Sequence, residues 1–209
     1  MLAIIDYGVG NLFSLASSLK ALGEDCIVTS NKEDILNADR IILPGVGAFG
    51  DAKRKLSDTG LIPTIQEVVS RGTPLLGICL GMQMLFDKSY EYGEHTGLGF
   101  IPGVVKDMKP DLIAHGYDYK TPEMGWNSLK FHNTSDLFKY IKEGDYVYFV
   151  HSYYAVECEK SLIATTEYGI TVTAAVQKDN VYGTQFHPEK SGEVGLKILK
   201  AFCEIGGKK

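Results

Sequence analysis

Short apolar runs alternate with helix-like segments through the first 90 residues of the chain. The predicted strands are residues 2–7, 26–30, 40–45 and 74–78, and the predicted helices are residues 11–22 and 61–70. Asn11 is placed to cap the first helix, and Gly23 is placed to end it. Alternation of this kind is typical of βαβ units. It predicts an α/β fold, with an open, mostly parallel twisted sheet and helices on both of its faces.

From about Leu98 the pattern changes to strand-like pieces separated by turns. These pieces are residues 98–105, 145–154, 161–169, 170–177 and 181–186. They predict a smaller antiparallel, strand-rich section in the C-terminal half, followed by a helix at 193–204 and a fraying tail at 206–209. Residues 106–124 show no clear periodicity, so we expect them to form one long loop, either functional or mobile.

Length and composition narrow the class of protein. The 209 residues, 44% of them hydrophobic and 22% charged, fit a single globular domain over residues 1–209. The apolar runs are shorter than the ~18 residues of a membrane span, and residues 1–6 lack the pattern of a signal peptide. The formal net charge of −5 gives no general attraction to nucleic acid or to anionic membranes. We therefore expect a soluble protein that binds neither.

The cysteines indicate a reduced compartment. Their positions are Cys26, Cys79, Cys158 and Cys203. They are widely spaced and form no C-x-x-C pair, so they predict neither a disulfide framework nor a zinc ribbon. We expect a cytoplasmic protein with free thiols, and we expect neither a metal nor another cofactor.

A glycine-rich turn follows the third predicted strand. Gly45, Gly47 and Gly50 satisfy the pattern G-x-G-x-x-G. In dinucleotide-binding folds this motif follows the first strand, and an acidic residue ends the next strand about 20 positions later. Here Glu67 falls inside a predicted helix, and Pro44 separates the strand from the glycines. The sequence therefore favours a tight turn over a nucleotide site.

The corner around Cys79 carries a stronger signal. Residues 77–81, GICLG, match the nucleophile elbow G-x-S-x-G, with cysteine in place of serine. Glycines are needed on both sides because larger side chains would collide with neighbouring elements. A helix beginning after Cys79 would stabilise its thiolate, and the backbone N–H of Leu80 would point at a developing oxyanion. The alternative, a small buried cysteine of the core, leaves the flanking glycines unexplained.

A nucleophilic cysteine needs a base, and His187 is the favoured candidate among the five histidines. Glu189 lies two positions after it, a spacing that in a strand returns the carboxylate to the same face. That carboxylate would hold one imidazole nitrogen and leave the other for the cysteine. His151 is the alternative base, although it has no acid two residues away. A metal site built from Cys79, His187 and Glu189 is disfavoured, because zinc sites normally take two ligands at short spacing.

Several stretches together resemble the class I, triad-type glutamine amidotransferases. The stretches that match the motifs of this family are GICLGMQ at residues 77–83 and QFHPEKS at residues 185–191. Three further stretches narrow the resemblance to glutaminase subunits of histidine biosynthesis, and it extends over essentially the whole chain. They are DYGVGN at 6–11, LPGVGAFGDA at 43–52 and MGWN at 124–127.

The resemblance implies a reaction and its catalytic residues. Cys79 would attack the side-chain amide carbon of L-glutamine, and His187 would move the proton to the leaving ammonia while Glu189 holds the imidazole. The resulting glutamyl thioester would then be hydrolysed to glutamate. In elbow hydrolases a second oxyanion donor comes from a loop after an early strand. Val46 or Gly47 would provide it here.

The resemblance also implies a set of substrate-binding residues. Gly47 would leave room for the substrate backbone, and Gln83, one helical turn after the cysteine, would read polar groups of the substrate. Glu91 matches a position near the amino group of the ligand. Ser152 and Tyr153 match positions at the carboxylate end, with His151 adjacent.

A partner is implied because free ammonia is mostly protonated at neutral pH and would diffuse away. The resemblance assigns its use to a separate (βα)8-barrel cyclase subunit, and residues 117–126, together with the loop after Pro44, are candidates for the docking face. The family often reads P-H-M-G-W-N where this chain has Glu123 after Pro122, so the contacts of that loop differ. Other possibilities are a different class I amidotransferase subunit, a cysteine peptidase or esterase using the same elbow, and a non-catalytic scaffolding subunit.

Overall fold

The computed structural model describes residues 1–206. Fraying predicted for the C-terminal tail falls mainly on residues 207–209, which lie outside the described part. The strands, in chain order, are β1 Leu2–Ile5, β2 Cys26–Thr29, β3 Arg40–Gly45, β4 Leu75–Cys79, β5 Phe86–Ser89, β6 His95–Thr96, β7 Ile101–Asp107, β8 Glu123–Ser128, β9 Lys130–Phe131, β10 Tyr146–His151, β11 Tyr153–Val156, β12 Leu162–Glu167, β13 Thr171–Lys178 and β14 Val181–Thr184.

Seven α-helices occur within residues 1–206. They are α1 Leu12–Ala21, α2 Lys32–Asn37, α3 Phe49–Asp58, α4 Ile62–Ser70, α5 Leu80–Gln83, α6 Lys109–Ala114 and α7 Gly192–Glu204. Short 3-10 helices lie at Asp136–Phe138, Glu159–Ser161 and Pro188–Lys190. No helix of this part of the chain is both long and apolar enough to cross a bilayer.

The central sheet has eight strands in the order β2-β1-β3-β4-β14-β13-β12-β9. Strands β2, β1, β3, β4 and β14 are parallel, whereas β13, β12 and β9 continue the sheet antiparallel. A four-stranded sheet β11-β7-β5-β6 and the antiparallel pair β10-β8 complete the fold. This confirms the predicted α/β class, with its mostly parallel sheet and a more antiparallel C-terminal half.

Alternation along the central strands divides the core into two layers. In β1, Ala3 and Ile5 join a cluster that contains α2, α3 and α4, whereas Leu2 and Ile4 join a cluster with α1 and α7. Because successive strand side chains point to opposite faces, a fully apolar strand needs a helix layer on each side. Helices on both faces therefore follow from the runs of buried residues.

Several predicted boundaries hold, and some differ. Helix α1 begins after Asn11 as expected, but the Asn11 side chain caps no backbone N–H within residues 1–206, and Gly23 takes the expected left-handed conformation, φ +76°. The predicted strand 145–154 is two strands, since β10 pairs with β8 and β11 with β7. The expectation of one long loop over 106–124 is wrong: this segment contains α6, which is too short to give a clear period but buries Leu112.

Candidate active site

The Cys79 corner is a strained turn between β4 and α5. Cys79 has φ +53° and ψ −112°, a conformation that L-residues rarely adopt. A Cβ on Gly81 would lie 1.9 Å from the carbonyl oxygen of Leu43, and one on Gly77 would lie 2.8 Å from the backbone of Met82. Both flanking glycines are therefore required by close backbone approach, as the elbow motif predicted.

The helix expected after the elbow is a single turn. Helix α5 ends at Gln83, and the chain returns to strand β5 at Phe86. A helix of four residues has few aligned peptides, so the effect of a long macrodipole is absent at Cys79 in this structure.

The glycine-rich loop after β3 lies beside the elbow. Gly45 is the register partner of Cys79 in the parallel pair β3-β4, and a Cβ on it would be 2.7 Å from the Gly81 nitrogen. Gly47 has φ +92°, while Val46 is exposed. These glycines are explained by a close contact and a left-handed turn, which agrees with the tight-turn interpretation of the motif.

His187 and Glu189 form a buried couple close to Cys79. The Nδ1 atom of His187 lies 2.8 Å from Oε1 of Glu189, and both side chains are 2% exposed. Nε2 of His187 has no hydrogen-bond partner within residues 1–206. Burial alone would lower the pKa of His187, but the interactions with Cys79 and Glu189 outweigh it and raise the pKa to about 9.

The predicted contact between His187 and Glu189 is present, but strand alternation does not produce it. Glu189 lies in the 3-10 helix Pro188–Lys190, and His187 has the extended backbone that a following proline favours. The tight turn, rather than strand alternation, returns the carboxylate to the imidazole. The Ser191 hydroxyl also donates to the His187 carbonyl at 2.6 Å and so fixes the turn.

His151 lies at the same cavity, and only its Nδ1 has a hydrogen-bond partner within residues 1–206. Nδ1 is 2.9 Å from the carbonyl of Tyr153, and Nε2 is 3.3 Å from Oε2 of Glu123. Glu123 itself accepts a 3.1 Å hydrogen bond from Asn127. Glu123, the residue that departs from the family pattern, is therefore buried against His151, the alternative base.

A cavity of about 510 Å³ joins these elements, a size suited to a small-molecule ligand. It is lined by Val46, Gly47, Cys79, Leu80, Gln83, Glu91, Tyr92, Asp107, Thr121, Pro122, Val150, His151, Ser152, Tyr153 and His187. Every predicted oxyanion and substrate residue borders this cavity. Glu91 also accepts a 2.6 Å hydrogen bond from the Phe49 N–H, and its burial raises the pKa of the carboxyl group. Nothing in the sequence points to Tyr92, Asp107 or Val150 as lining residues, and Thr121 and Pro122 fall only within the candidate docking segment 117–126.

Two buried residues near Cys79 were also missed. The Gln185 amide donates to the Cys79 sulfur at 3.8 Å, and the Tyr7 hydroxyl donates to the Pro44 carbonyl at 2.7 Å. Burial raises the pKa of Tyr7, and the charge of Cys79 raises it further. A glutamine at the end of an apolar strand, two residues before His187, was the available signal. Among residues 1–206 no three His, Cys, Asp or Glu side chains are grouped so as to hold a metal ion.

Solved structures of other proteins share this fold. A crystal structure described as a glutamine amidotransferase superposes with a TM-score of 0.74 at 18% identity, covering 99% of each chain. The structure of PurLQS from Thermotoga maritima gives a TM-score of 0.70, also at 18% identity, covering 97% of this chain and 96% of that one. At such low identity the likeness concerns the fold.

The sequence comparisons are more specific. Two relatives, each 50% identical over 206 residues and 98% of this chain, are named "Imidazole glycerol phosphate synthase subunit HisH". One is from Geobacillus thermodenitrificans, with 96% of its length covered, and the other is from Caldanaerobacter subterraneus subsp. tengcongensis, with 98% covered. The family model "Glutamine amidotransferase class-I" matches residues 3–205. This chain therefore belongs to the class I glutamine amidotransferase family.

Proposed function

We propose that this chain is the glutaminase subunit of an imidazole glycerol phosphate synthase. It hydrolyses L-glutamine to glutamate and ammonia through a cysteinyl thioester. The observation that carries the proposal is the strained Cys79 at the cavity wall, next to an imidazole whose other nitrogen is 2.8 Å from Glu189. The 50% identical relatives named HisH support the same assignment over 98% of the chain.

In the first half of the reaction Cys79 is the nucleophile. The proton of its thiol passes first to Nε2 of His187, and the sulfur then attacks the side-chain amide carbon of glutamine. His187 is the better base because Glu189 holds its Nδ1 in a 2.8 Å hydrogen bond, whereas the carboxylate beside His151 makes no hydrogen bond to that ring within residues 1–206. Glu189 holds the ring and stabilises the imidazolium. The tetrahedral intermediate then collapses, the C–N bond breaks, and the proton on His187 leaves with ammonia.

In the second half water hydrolyses the thioester. His187 takes a proton from water as the oxygen attacks the thioester carbon, and it returns that proton to the sulfur when the C–S bond breaks. The N–H of Leu80, with that of Val46 or Gly47, would stabilise the oxyanion in both halves, since both loops border the cavity beside the sulfur. Gln83, Glu91 and the segment 151–153 surround the space left for the rest of glutamine.

The ammonia goes to a cyclase partner. We propose a (βα)8-barrel subunit that uses it to make imidazole glycerol phosphate and an aminoimidazole carboxamide ribotide in the cytoplasm. The face of this chain that docks the barrel subunit contains the outward side of β8, where Met124 is 64% and Trp126 is 55% exposed. It continues over Val46 at the mouth of the cavity. Exposed aromatic and methionine side chains of this kind are enriched at interface centres.

The direct test measures ammonia release from glutamine. We expect low turnover for the chain alone and a clear increase when it is mixed with the candidate barrel subunit and that subunit's substrate. Cys79→Ala should abolish turnover in both conditions. Equal turnover with and without the barrel subunit would count against the coupling. Labelling of Cys79 by a glutamine-like electrophile should be blocked by glutamine, whereas cleavage of peptides or esters without glutaminase activity would favour the other elbow hydrolases.

A further inference from the structure

Two buried carboxamides connect a backbone carbonyl to the Cys79 sulfur. Nε2 of Gln83 donates to the carbonyl of Tyr153 and to Oε1 of Gln185, both at 3.0 Å. Nε2 of Gln185 in turn lies 3.8 Å from Sγ of Cys79. Gln83 is 4% exposed and Gln185 is completely buried, so water does not compete for these contacts.

The Tyr153 carbonyl determines the direction of each hydrogen bond in this network of two carboxamides. That oxygen only accepts, so Gln83 must turn its NH2 group toward it. The second hydrogen on the same nitrogen then requires an acceptor from Gln185, which is its Oε1. The NH2 group of Gln185 is left facing the sulfur of Cys79. A reversal of either amide would set two acceptors or two donors against each other.

The backbone around Gln185 is also fixed. Its N–H donates to the carbonyl of Ala174 at 2.8 Å, and the Thr184 hydroxyl donates to the carbonyl of Phe186 at 3.1 Å. His187 follows two residues later, so one short segment brings both an N–H donor and an imidazole to the sulfur. The thiol of Cys79 also lies 3.9 Å from the carbonyl oxygen of Val150, to which it donates. Two titratable groups, Tyr7 and His187, interact with the charge of Cys79.

We propose that Gln185 is a positioning residue that aims the Cys79 sulfur into the cavity and favours the thiolate formed during the reaction, through an N–H···S hydrogen bond. A donor stabilises the charged sulfur more than the neutral thiol, because hydrogen bonds to ionised groups are the stronger ones. The same network leaves Oε1 of Gln83 as the only polar atom of that amide available to a ligand. This inference rests on the proposed nucleophilic role of Cys79.

The experiment is alkylation of Cys79 by iodoacetamide from pH 6 to pH 10, with the modified peptide quantified by mass spectrometry. Gln185→Met keeps the approximate volume and removes the donor. We expect its alkylation rate at pH 7 to be about five- to tenfold lower, and its rate at pH 10 to equal that of the wild type. Gln177→Met in β13 is the matched control and should leave the alkylation profile unchanged.

Glutamine turnover gives a second readout. For Gln185→Met we expect kcat to fall about as much as the alkylation rate at pH 7, with KM changed less than twofold. If Gln185→Met does not fold, Gln185→Glu replaces it with an isosteric side chain, and a carboxyl group beside the sulfur should slow alkylation at pH 7 further. An unchanged alkylation profile in the folded variant would overturn the proposal, even if turnover falls. Because alkylation needs no glutamine, this outcome is separate from a failure of the glutaminase assay.

Discussion

Glu123 and His151 face each other across the antiparallel pair β8-β10, with Oε2 of the carboxylate 3.3 Å from Nε2 of the imidazole. Both side chains are almost completely buried, and His151 and Ser152 form part of the cavity wall. The couple connects the strand that carries the exposed Met124 and Trp126 to the strand that ends at the candidate active-site cavity. It therefore links the proposed docking face to the proposed substrate site through one contact.

Glu123→Ala should destabilise the protein by about 2 kcal/mol, because it removes the acceptor of the partly buried Asn127 hydrogen bond and the group that packs against His151. Glu123→Gln keeps the shape and one acceptor, so we expect a smaller loss. Urea denaturation measures both values. KM for glutamine should rise in Glu123→Ala, since His151 loses one of the two contacts that orient it. An alanine variant as stable as the wild type would show that the pair contributes nothing.

Gly81→Ala should prevent folding or reduce the free energy of unfolding by about 3 kcal/mol or more, because its Cβ would lie 1.9 Å from a backbone oxygen of β3. Gly72→Ala is the control: it also adds a methyl group, at φ +91°, but nothing described lies within 4 Å of that Cβ. Its cost should be about 1 kcal/mol of backbone strain. Circular dichroism and urea denaturation compare the two, and equal losses would refute the steric explanation of the elbow glycines.

The raised pKa of His187 predicts a specific pH dependence of stability. The imidazolium of His187 has a pKa of about 9 in the folded protein, against 6.5 for an ordinary histidine. Protonation of His187 therefore contributes its full stabilisation below pH 6.5, and this stabilisation is lost as the pH rises toward 9. The free energy of unfolding should fall across this window, relative to His187→Gln, by at most about 1.4 kcal/mol per pH unit. Urea denaturation at a series of pH values measures it.

Cys79→Ala provides the control for that measurement, because the interaction with Cys79 is one of the causes of the raised pKa. In this background the fall in stability with pH should become smaller. A difference between wild type and His187→Gln that stays constant from pH 6 to pH 10 would contradict the prediction.

Trp126→Ala should weaken binding of the barrel subunit without changing basal glutamine hydrolysis. Trp126 is 55% exposed on β8 and packs edge-on against Tyr148, which gives it the rigidity typical of an interface anchor. Loss of such an anchor raises Kd by about 30-fold or more. Tyr140→Ala is a suitable control, since its hydroxyl bonds to Glu204 and it is not part of the cavity lining. Titration calorimetry measures Kd, and equal affinity for all three proteins would place the docking face elsewhere.

The sequence by itself determined the α/β class and pointed to the residues that we propose as reactive. Apolar strands with buried residues on both faces need a helix layer on each side of the sheet. The motifs GICLG and HPE each determine their local backbone geometry within a few adjacent residues. The strain at Cys79 and the glycine contacts follow from such short-range constraints. They are readable from the chain because only glycine, which has no Cβ, fits where that atom would lie 1.9 Å from a backbone oxygen.

Only the tertiary structure decided which distant groups meet. The parallel pairing of β4 and β14 brings residues 79 and 185 together across 106 positions, and the pairing of β8 with β10 brings Glu123 to His151. The division of residues 145–154 between two sheets and the short turn that joins His187 to Glu189 also depend on packing rather than on local pattern. Contacts between residues far apart in the chain depend on strand register, and no local periodicity encodes that register.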